Sequence, residues 1–318
     1  MIVPALFVKK KIRLINSATL INEELLVYLH RFIADNKDAV VIFNNELSAR
    51  HQRNIARKIC AQVLDRNEII IKIFANRARS FEGKLQVELA QLKHQSSRLV
   101  REWTHLERQK GGIGLRGGPG EKQIESDRRI IRQKINKIEK RLASVVQTRA
   151  QNRQRREKSH TKTVALVGYT NVGKSTLFNR LSKKQTYVAD EPFASLDSNI
   201  ARFYMGPENN CVVIDTIGFI SSLPTELVNS FKSSLEEVLR ADLILHVIDH
   251  SSQQAVMQQQ SVEDILQDIG ATDIPRVNVF NKSDQVEIDT STNNVYVSAL
   301  FNLGLNNLRD KIKNILFN

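Results

Sequence analysis

The sequence predicts an α/β protein in three parts. A small α/β unit is expected over 1–76, a long antiparallel helical hairpin with a basic linker over 77–162, and a doubly wound α/β domain over 163–318. Three observations predict this. After residue 163, near-continuous apolar runs of strand length alternate with helical patterns. Before it, two apolar seams flank a glycine-rich stretch. Charge is also split, with 35 Lys/Arg against 16 Asp/Glu up to residue 162 and 12 against 18 beyond it.

The 318 residues suit about two domains at roughly 100–200 residues each. A hydrophobic content of 41% suffices for real cores. Cys60 and Cys211 lie far apart, which is neither a disulfide framework nor a zinc pattern, so a cytoplasmic setting is expected. The N-terminus places its apolar run before Lys9-Lys10-Lys11, the reverse of a secretory signal. No apolar stretch is long enough to span a bilayer. The +19 balance of the first half points to a polyanion partner. Nucleic acid is the first expectation and loose association with an anionic membrane the second. A merely solubilising charged helix surface is the plain alternative.

In the first part, Leu25, Leu26, Leu29, Phe32 and Ile33 fall at helical spacing. Ala39-Val40-Val41-Ile42-Phe43 reads as a short strand, Glu46 to Cys60 as a helix, and Val63-Leu64 as a second strand. In the second part, Leu85, Leu89, Leu92, Ser96, Leu99, Trp103 and Leu106 step by four and three. Ile124, Arg128, Ile131, Ile135, Ile138, Leu142 and Val145 do the same. Between them, Gly111 to Gly120 holds six glycines and a proline and cannot continue a helix. The seams are core packing. The basic run from Arg149 to Lys162 suits a solvated helix end as well as an RNA contact.

In the third part, Val164–Val167, Cys211–Ile214, Leu243–Ile248 and Val277–Phe280 read as strands buried on both faces of a parallel sheet. Gly168-Tyr169-Thr170-Asn171-Val172-Gly173-Lys174-Ser175 follows the first of them and opens a helix, Thr176 to Leu181. It fits the P-loop pattern, in which backbone N–H groups and a helix N-terminus cradle phosphates. Lys174 is placed to bridge β- and γ-phosphates, and the Ser175 hydroxyl to bind Mg²⁺. Asp215-Thr216-Ile217-Gly218 ends the next strand; Asp215 suits Mg²⁺ and the Gly218 N–H the γ-phosphate. Asn281-Lys282-Ser283-Asp284 points to guanine, because a carboxylate at Asp284 accepts from both N1–H and the 2-amino group. Adenine offers neither, so GTP and GDP are the expected ligands. Asn281 is expected to support the loop and reach the base, with the Lys282 stem over the ring. Ser298-Ala299-Leu300 is expected to offer backbone N–H groups to the guanine O6.

The wider text resembles one family. Asp215 to Ile220, then Leu223-Pro224, Leu227-Val228, Phe231 and Leu235 to Val238, is similar to the HflX family. So are Phe74-Ala75, Arg77-Ala78-Arg79, Glu82 to Leu92, Trp103 to Leu106, and Gly112-Ile113-Gly114 through Asp127-Arg128-Arg129. The resemblance runs from about Val40 to the C-terminus. It implies a P-loop GTPase, stimulated by ribosomes, that binds the large ribosomal subunit and its rRNA rather than DNA, as a monomer. It further implies splitting or rescue of stalled ribosomes.

The sequence departs from that family at several points. Ser195, within Phe193 to Asn199, stands where the family's switch I has a Mg²⁺-binding Thr, so Ser195 is an expected metal ligand. The tip from Arg116 to Lys122 has an extra glycine, and Lys122 replaces a Thr. The chain ends after the helix near Leu308 to Phe317, so the C-terminal domain of some members is expected to be absent, and the first forty residues diverge. Lys174, Ser195 and Gly218 are the expected catalytic groups for in-line attack of water on the γ-phosphate. Phe219 stands where many GTPases orient that water with Gln, so slow intrinsic turnover is expected. Two alternatives remain: a nucleotide-gated RNA-binding module, and a GTPase for ribosome assembly or tRNA modification.

Overall fold

The computed structural model describes all residues except 1–5, 12–14, 104–118, 183–198, 207–208, 220–226, 228–229, 231, 287–293 and 318. Ser195, Leu106 and the glycine-rich tip from Gly111 to Gly118 therefore lie outside the described residues. The chain divides into two compact units. One comprises 1–70 with 94–132, the other 71–93 with 133–318.

In the first unit, α1 (Glu23–Asp35) starts where the Asn22 side chain accepts the Leu25 N–H, satisfying a donor of the first turn. It buries Leu26, Leu29 and Ile33, as their spacing requires. β1 (Val41–Ile42) pairs in parallel with β2 (Val63–Leu64), and α2 (Ala49–Ile59) connects them. Ser48 caps α2 by accepting from the His51 N–H at 3.1 Å. Ile55 and Ile59 complete the core with α1. β1 is two residues long, and Val40 and Ile42 of the expected run are exposed.

α3 (Arg66–Arg77), absent from the sequence expectation, spans the junction of the units. Its run Ile69-Ile70-Ile71 has strand-like composition. The helix starts before that run, at Arg66, where the Asp65 carboxylate accepts the Glu68 N–H at 2.8 Å. That cap outweighs a weak residue preference.

α4 (Phe81–Trp103) and α5 (Pro119–Lys158) are the two long helices. Within the second unit, Glu82 pairs with Arg149 at 2.8 Å and Lys93 with Glu139 at 3.1 Å. The later α4 residue meets the earlier α5 residue, so these stretches run antiparallel. Leu85, Leu89, Leu92 and Ile138 are buried, as the seams require, and Ile131, Ile135, Leu142 and Val145 are half-buried.

The rest of the second unit carries a six-stranded mixed sheet in the order β4-β5-β3-β6-β7-β8. The strands are β3 (Lys162–Gly168), β4 (Asn199–Tyr204), β5 (Asn210–Asp215), β6 (Leu243–Asp249), β7 (Arg276–Asn281) and β8 (Val295–Tyr296). β4 runs antiparallel and the other strands parallel. Alternate residues of β3 serve opposite faces. Val164 and Leu166 pack with Leu177, Phe178 and Leu181 of α6 (Lys174–Ser182) and with Leu308 and Ile312 of α9 (Leu305–Phe317). Ala165 and Val167 pack with Leu235 and Val238 of α7 (Lys232–Leu239) and with Val262 and Leu266 of α8 (Ala255–Asp268). Burial on both faces explains the unbroken apolar runs.

After β3 the chain passes to β4 and β5 on one side, then crosses to β6 on the other. The crevice beyond the C-terminal end of β3 is therefore a topological switch point, the usual place for a ligand in such sheets. β4 and β8 were not expected as strands. β4 buries only Ala201 and Phe203, with Arg202 and Tyr204 turned out, as an edge strand does. No helix among the described residues is long and apolar enough to cross a membrane.

Candidate nucleotide-binding site

The P-loop leaves β3 at Gly168 and enters α6 at Lys174. Two glycines are required by close approach. A Cβ on Gly168 would lie 2.3 Å from the Val247 carbonyl oxygen of β6. Gly173 has φ +91°, and its Cβ would lie 2.3 Å from Asn281 Nδ2. Asn171 takes a left-handed conformation at φ +64°, which Asn tolerates better than most residues. The loop start is bracketed by the segment that follows β5. Thr170 N–H donates to the Phe219 carbonyl at 2.8 Å, and Phe219 N–H to the Gly168 carbonyl at 3.1 Å.

Lys174 is buried in this loop and donates to the Gly168 and Tyr169 carbonyl oxygens at 3.0 and 2.7 Å. Burial pushes its pKa down to about 8, against the pull of the nearby Asp215 charge. Ser175 Oγ donates to Asp215 Oδ2 at 2.8 Å. Thr216 ties the D-x-x-G segment to the sheet by donating to the Leu166 carbonyl at 2.6 Å. Gly218 closes the floor, since a Cβ there would come 3.2 Å from Lys174 Nζ. Tyr169, Thr176 and Ile217 flank these groups, with Ile217 and Val172 buried beneath.

Asp215 is the most burdened group. Its Oδ1 is buried with no hydrogen-bond partner among the described residues. Burial pushes its pKa up to about 6, while Lys174 and the Ser175 hydroxyl pull it down. A carboxylate oxygen left so, beside a serine hydroxyl, is a pair of hard oxygen donors of the kind Mg²⁺ takes. The expected ligands Ser175 and Asp215 therefore fit the metal.

The raised pKa has a consequence for stability. The folded, nucleotide-free chain holds a proton at Asp215 that the unfolded chain has already released. This stabilising contribution is full below pH 4 and lost as pH rises through 6. In urea melts without Mg²⁺ or nucleotide, the stability of wild type relative to Asp215→Asn should fall by on the order of 2–3 kcal/mol from pH 4 to 7. A flat difference across that range would contradict a burial of Asp215 that outweighs its contacts with Lys174 and Ser175.

Asn281 ends β7 and joins both sides of the site. Its Nδ2 donates to the Val172 carbonyl of the P-loop at 2.8 Å, and its Oδ1 accepts from the Ala299 N–H at 3.0 Å. Lys282 is left-handed at φ +61°. A turn of 3₁₀ helix, Ser283–Gln285, follows, pinned by Ser283 N–H to the Val297 carbonyl at 3.2 Å. Asp284 stands exposed on that turn.

The Ser298-Ala299-Leu300 expectation narrows here. Ser298 N–H donates to the Leu303 carbonyl at 3.0 Å and Ala299 N–H to Asn281, so both are already committed. Leu300, 62% exposed, is the member left facing outward.

Two supporting residues escaped the sequence reading. Asp249, at the end of β6, holds Lys282 Nζ at 2.7 Å and accepts from the Ser251 N–H and hydroxyl. The sign of it was an acidic residue closing a buried strand beside the P-loop strand. Arg180 of α6 donates to the Ala299 and Leu300 carbonyls, both at 3.0 Å, across 119 and 120 residues. Nothing in the local sequence marks it. Phe219 is 2% exposed and packed in the core with Leu235 and Val238, so its ring is turned into the apolar interior.

Three families match consecutive stretches of the chain. They are described as "GTP-binding GTPase N-terminal" over residues 4–75, "GTP-binding GTPase Middle Region" over 77–156 and "50S ribosome-binding GTPase" over 163–282. The GTPase HflX of Escherichia coli K12 is 50% identical over 249 residues, covering 78% of this chain and 58% of that protein. The GTPase HflX of Magnetococcus marinus is 48% identical over 259 residues, covering 81% and 60%. That of Caldanaerobacter subterraneus is 45% identical over 305 residues, covering 95% and 71%. The chain thus spans 58–71% of the length of these relatives. With 45% identity along nearly all of its residues, this chain belongs to the HflX family of GTPases.

Proposed function

We propose that this chain binds GTP and GDP with Mg²⁺, hydrolyses GTP slowly by itself, and acts on the large ribosomal subunit, splitting or rescuing stalled ribosomes. The observation that carries the nucleotide reading is the Asn281 side chain, which joins the P-loop to the Ser298–Leu300 loop. Such a bridge makes phosphate and base recognition one rigid unit. Lys174 would neutralise charge on the transferring phosphoryl group, and the Gly218 N–H would meet the γ-phosphate. Ser175, Asp215 and Ser195 would hold Mg²⁺, which when bound supplies charge neutralisation at the β- and γ-phosphate oxygens. Asp284 would read the guanine edge and the Lys282 stem cover the ring, its head group fixed by Asp249.

The buried Phe219 favours slow intrinsic turnover, because a ring in the core orients no water. The same observation supports a second reading, a nucleotide-gated RNA-binding module whose hydrolysis is incidental. Multiple-turnover GTPase assays with and without 50S subunits separate the two. Stimulation by 50S supports the first, and no turnover in either condition supports the second. Sedimentation with 30S, 50S and 70S particles under GDP and a GTP analogue tests the ribosome assignment. Absence from the 50S fraction in both states would refute it.

The three-part division at 76/77 and 162/163 belongs to this proposal, with α4 and α5 as the arms of a hairpin. Its tip from Gly111 to Lys122 is the proposed rRNA probe, with Arg116 among glycines that allow close approach to phosphates and Lys122 in the first turn of α5, which starts at Pro119 and so takes the last two residues of the stretch expected not to be helical. Replacing Gly112–Lys122 by a short neutral turn should spare GTP binding and reduce 50S binding and stimulated hydrolysis together. With roughly six phosphate contacts, wild-type affinity for 50S should fall by about two to three decades from 50 to 200 mM salt. An unchanged affinity and salt slope in the loop variant would move the contact elsewhere, first to Arg149–Lys162.

A further inference from the structure

The nucleotide loops do not use one partly buried ion pair of the second unit. Arg156, in the last turn of α5, donates to Glu237 Oε2 of α7 at 3.1 Å across 81 residues. The Glu237 side chain is 4% exposed and that of Arg156 20%. The surface pair Lys58–Glu23, by contrast, is 46% and 65% exposed. Arg156 Nε is buried with no partner among the described residues, so Glu237 holds the guanidinium in place. The pair borders a polar cleft of about 330 Å³. There Lys162 pairs with Asp242 at 3.1 Å, and Asp242 also accepts the Thr163 N–H at 2.8 Å. The cleft thus lies at the start of β3, whereas the P-loop leaves its other end.

A continuous set of contacts joins this pair to the phosphate loop. Phe219 is hydrogen-bonded to Gly168 and Thr170 through its backbone. Its ring shares a core cluster with Leu235 and Val238 of α7. α7 also carries Glu237. A displacement of the D-x-x-G segment cannot leave α7 in place without opening that core, and close-packed cores resist such opening. Displacement of α7 in turn strains the buried Glu237 carboxylate, whose partner among the described residues is Arg156, and that is costly. Position 219, useless for orienting water, is thereby suited to carrying movement.

We propose that Arg156 and Glu237 are a positioning pair through which the nucleotide state of the P-loop is transmitted to the C-terminal turns of α5. This rests on the guanine-nucleotide reading of the site and adds a route out of it. Because coupling is reciprocal, anything that fixes α5 must also shift the relative affinity for GTP and GDP.

The test needs no ribosome. Hydrogen exchange of the full chain is measured with GDP and with a non-hydrolysable GTP analogue, following the amides of residues 149–158. In wild type, exchange there should differ between the two states by about fivefold or more. Arg156→Gln and Glu237→Gln should each erase that difference while still binding both nucleotides, with any change in the ratio of the two affinities no larger than the coupling that is lost. The double variant Arg156→Glu with Glu237→Arg should restore part of it, which a merely structural loss would not do. A wild type that binds both nucleotides without any change in α5 would overturn the coupling. So would single variants that keep the full difference. Wild type that binds neither nucleotide would instead overturn the reading of the site. Retained nucleotide binding in each variant reports that it is folded.

Discussion

Lys174→Ala should weaken binding of GTP and GDP by on the order of 10²–10⁴. Two charge-assisted hydrogen bonds to phosphate oxygens contribute about 3–6 kcal/mol together. The lysine is already buried and held by the Gly168 and Tyr169 carbonyls, so little is spent on ordering it when phosphate arrives. The ammonium has three N–H donors and two already meet those carbonyls, so at least one is exchanged for phosphate and the loss should stay below the full worth of both contacts. The variant should still fold. Without the Lys174 charge, Asp215 rises further in pKa and takes up a proton, so no buried charge is stranded. Ser175→Ala should behave differently, losing chiefly the Mg²⁺-dependent part of the affinity. Titration of both variants with a fluorescent guanine nucleotide, with and without Mg²⁺, checks this. Ser175→Ala with an unaltered Mg²⁺ requirement would remove Ser175 from the metal site.

The sequence shows the nucleotide loops clearly because their chemistry is local. A glycine at 168 or 173, a lysine at 174 and an aspartate at 215 are each demanded by what lies within a few ångströms of their own backbone. The strands that end in these loops are legible too, since burial on both faces of a parallel sheet leaves almost no polar residue in Val164–Val167 or Leu243–Ile248. β4 is harder to see because half of it faces solvent, and two-residue β8 is too short for any pattern to repeat. α3 was hidden by its isoleucines. Its start depends on the Asp65 side chain, which is buried because Leu47 N–H and Arg98 also bind it. Arg98 lies 33 residues away, and propensity cannot carry information over that distance. Arg180, Asp249 and the Arg156–Glu237 pair escaped for the same reason. Each acts on a partner that only the folded chain brings near. The narrowing at Ser298–Leu300 is of this kind as well. The motif supplies three N–H groups, but the Ser298–Leu303 bridge and Asn281 claim two of them.

Asp284→Asn should exchange guanine for xanthine specificity. A carboxylate at 284 accepts two hydrogen bonds, from N1–H and the 2-amino group. The amide keeps one acceptor and presents a donor to the 2-amino group, so one good contact becomes a clash of donors. Two charge-assisted bonds are lost or reversed, and GTP affinity should fall by on the order of 10³-fold. Xanthosine triphosphate carries a carbonyl at position 2, which accepts from the new amide, so its affinity should rise towards that of GTP for the wild type. Asp284 is well placed for so clean an exchange. It stands exposed on a short turn whose position is set by neighbours. Lys282 is tied to Asp249, Ser283 is buried and hydrogen-bonded to Val297, and Asn281 holds the loops on either side. The substitution therefore alters an edge without moving its support, and folding stability should change by less than about 0.5 kcal/mol, as for other exposed positions. Competition binding of GTP and xanthosine triphosphate to both proteins decides it. Undiminished GTP affinity in Asp284→Asn would mean that the N1–H and 2-amino edge of the base is read by another acceptor.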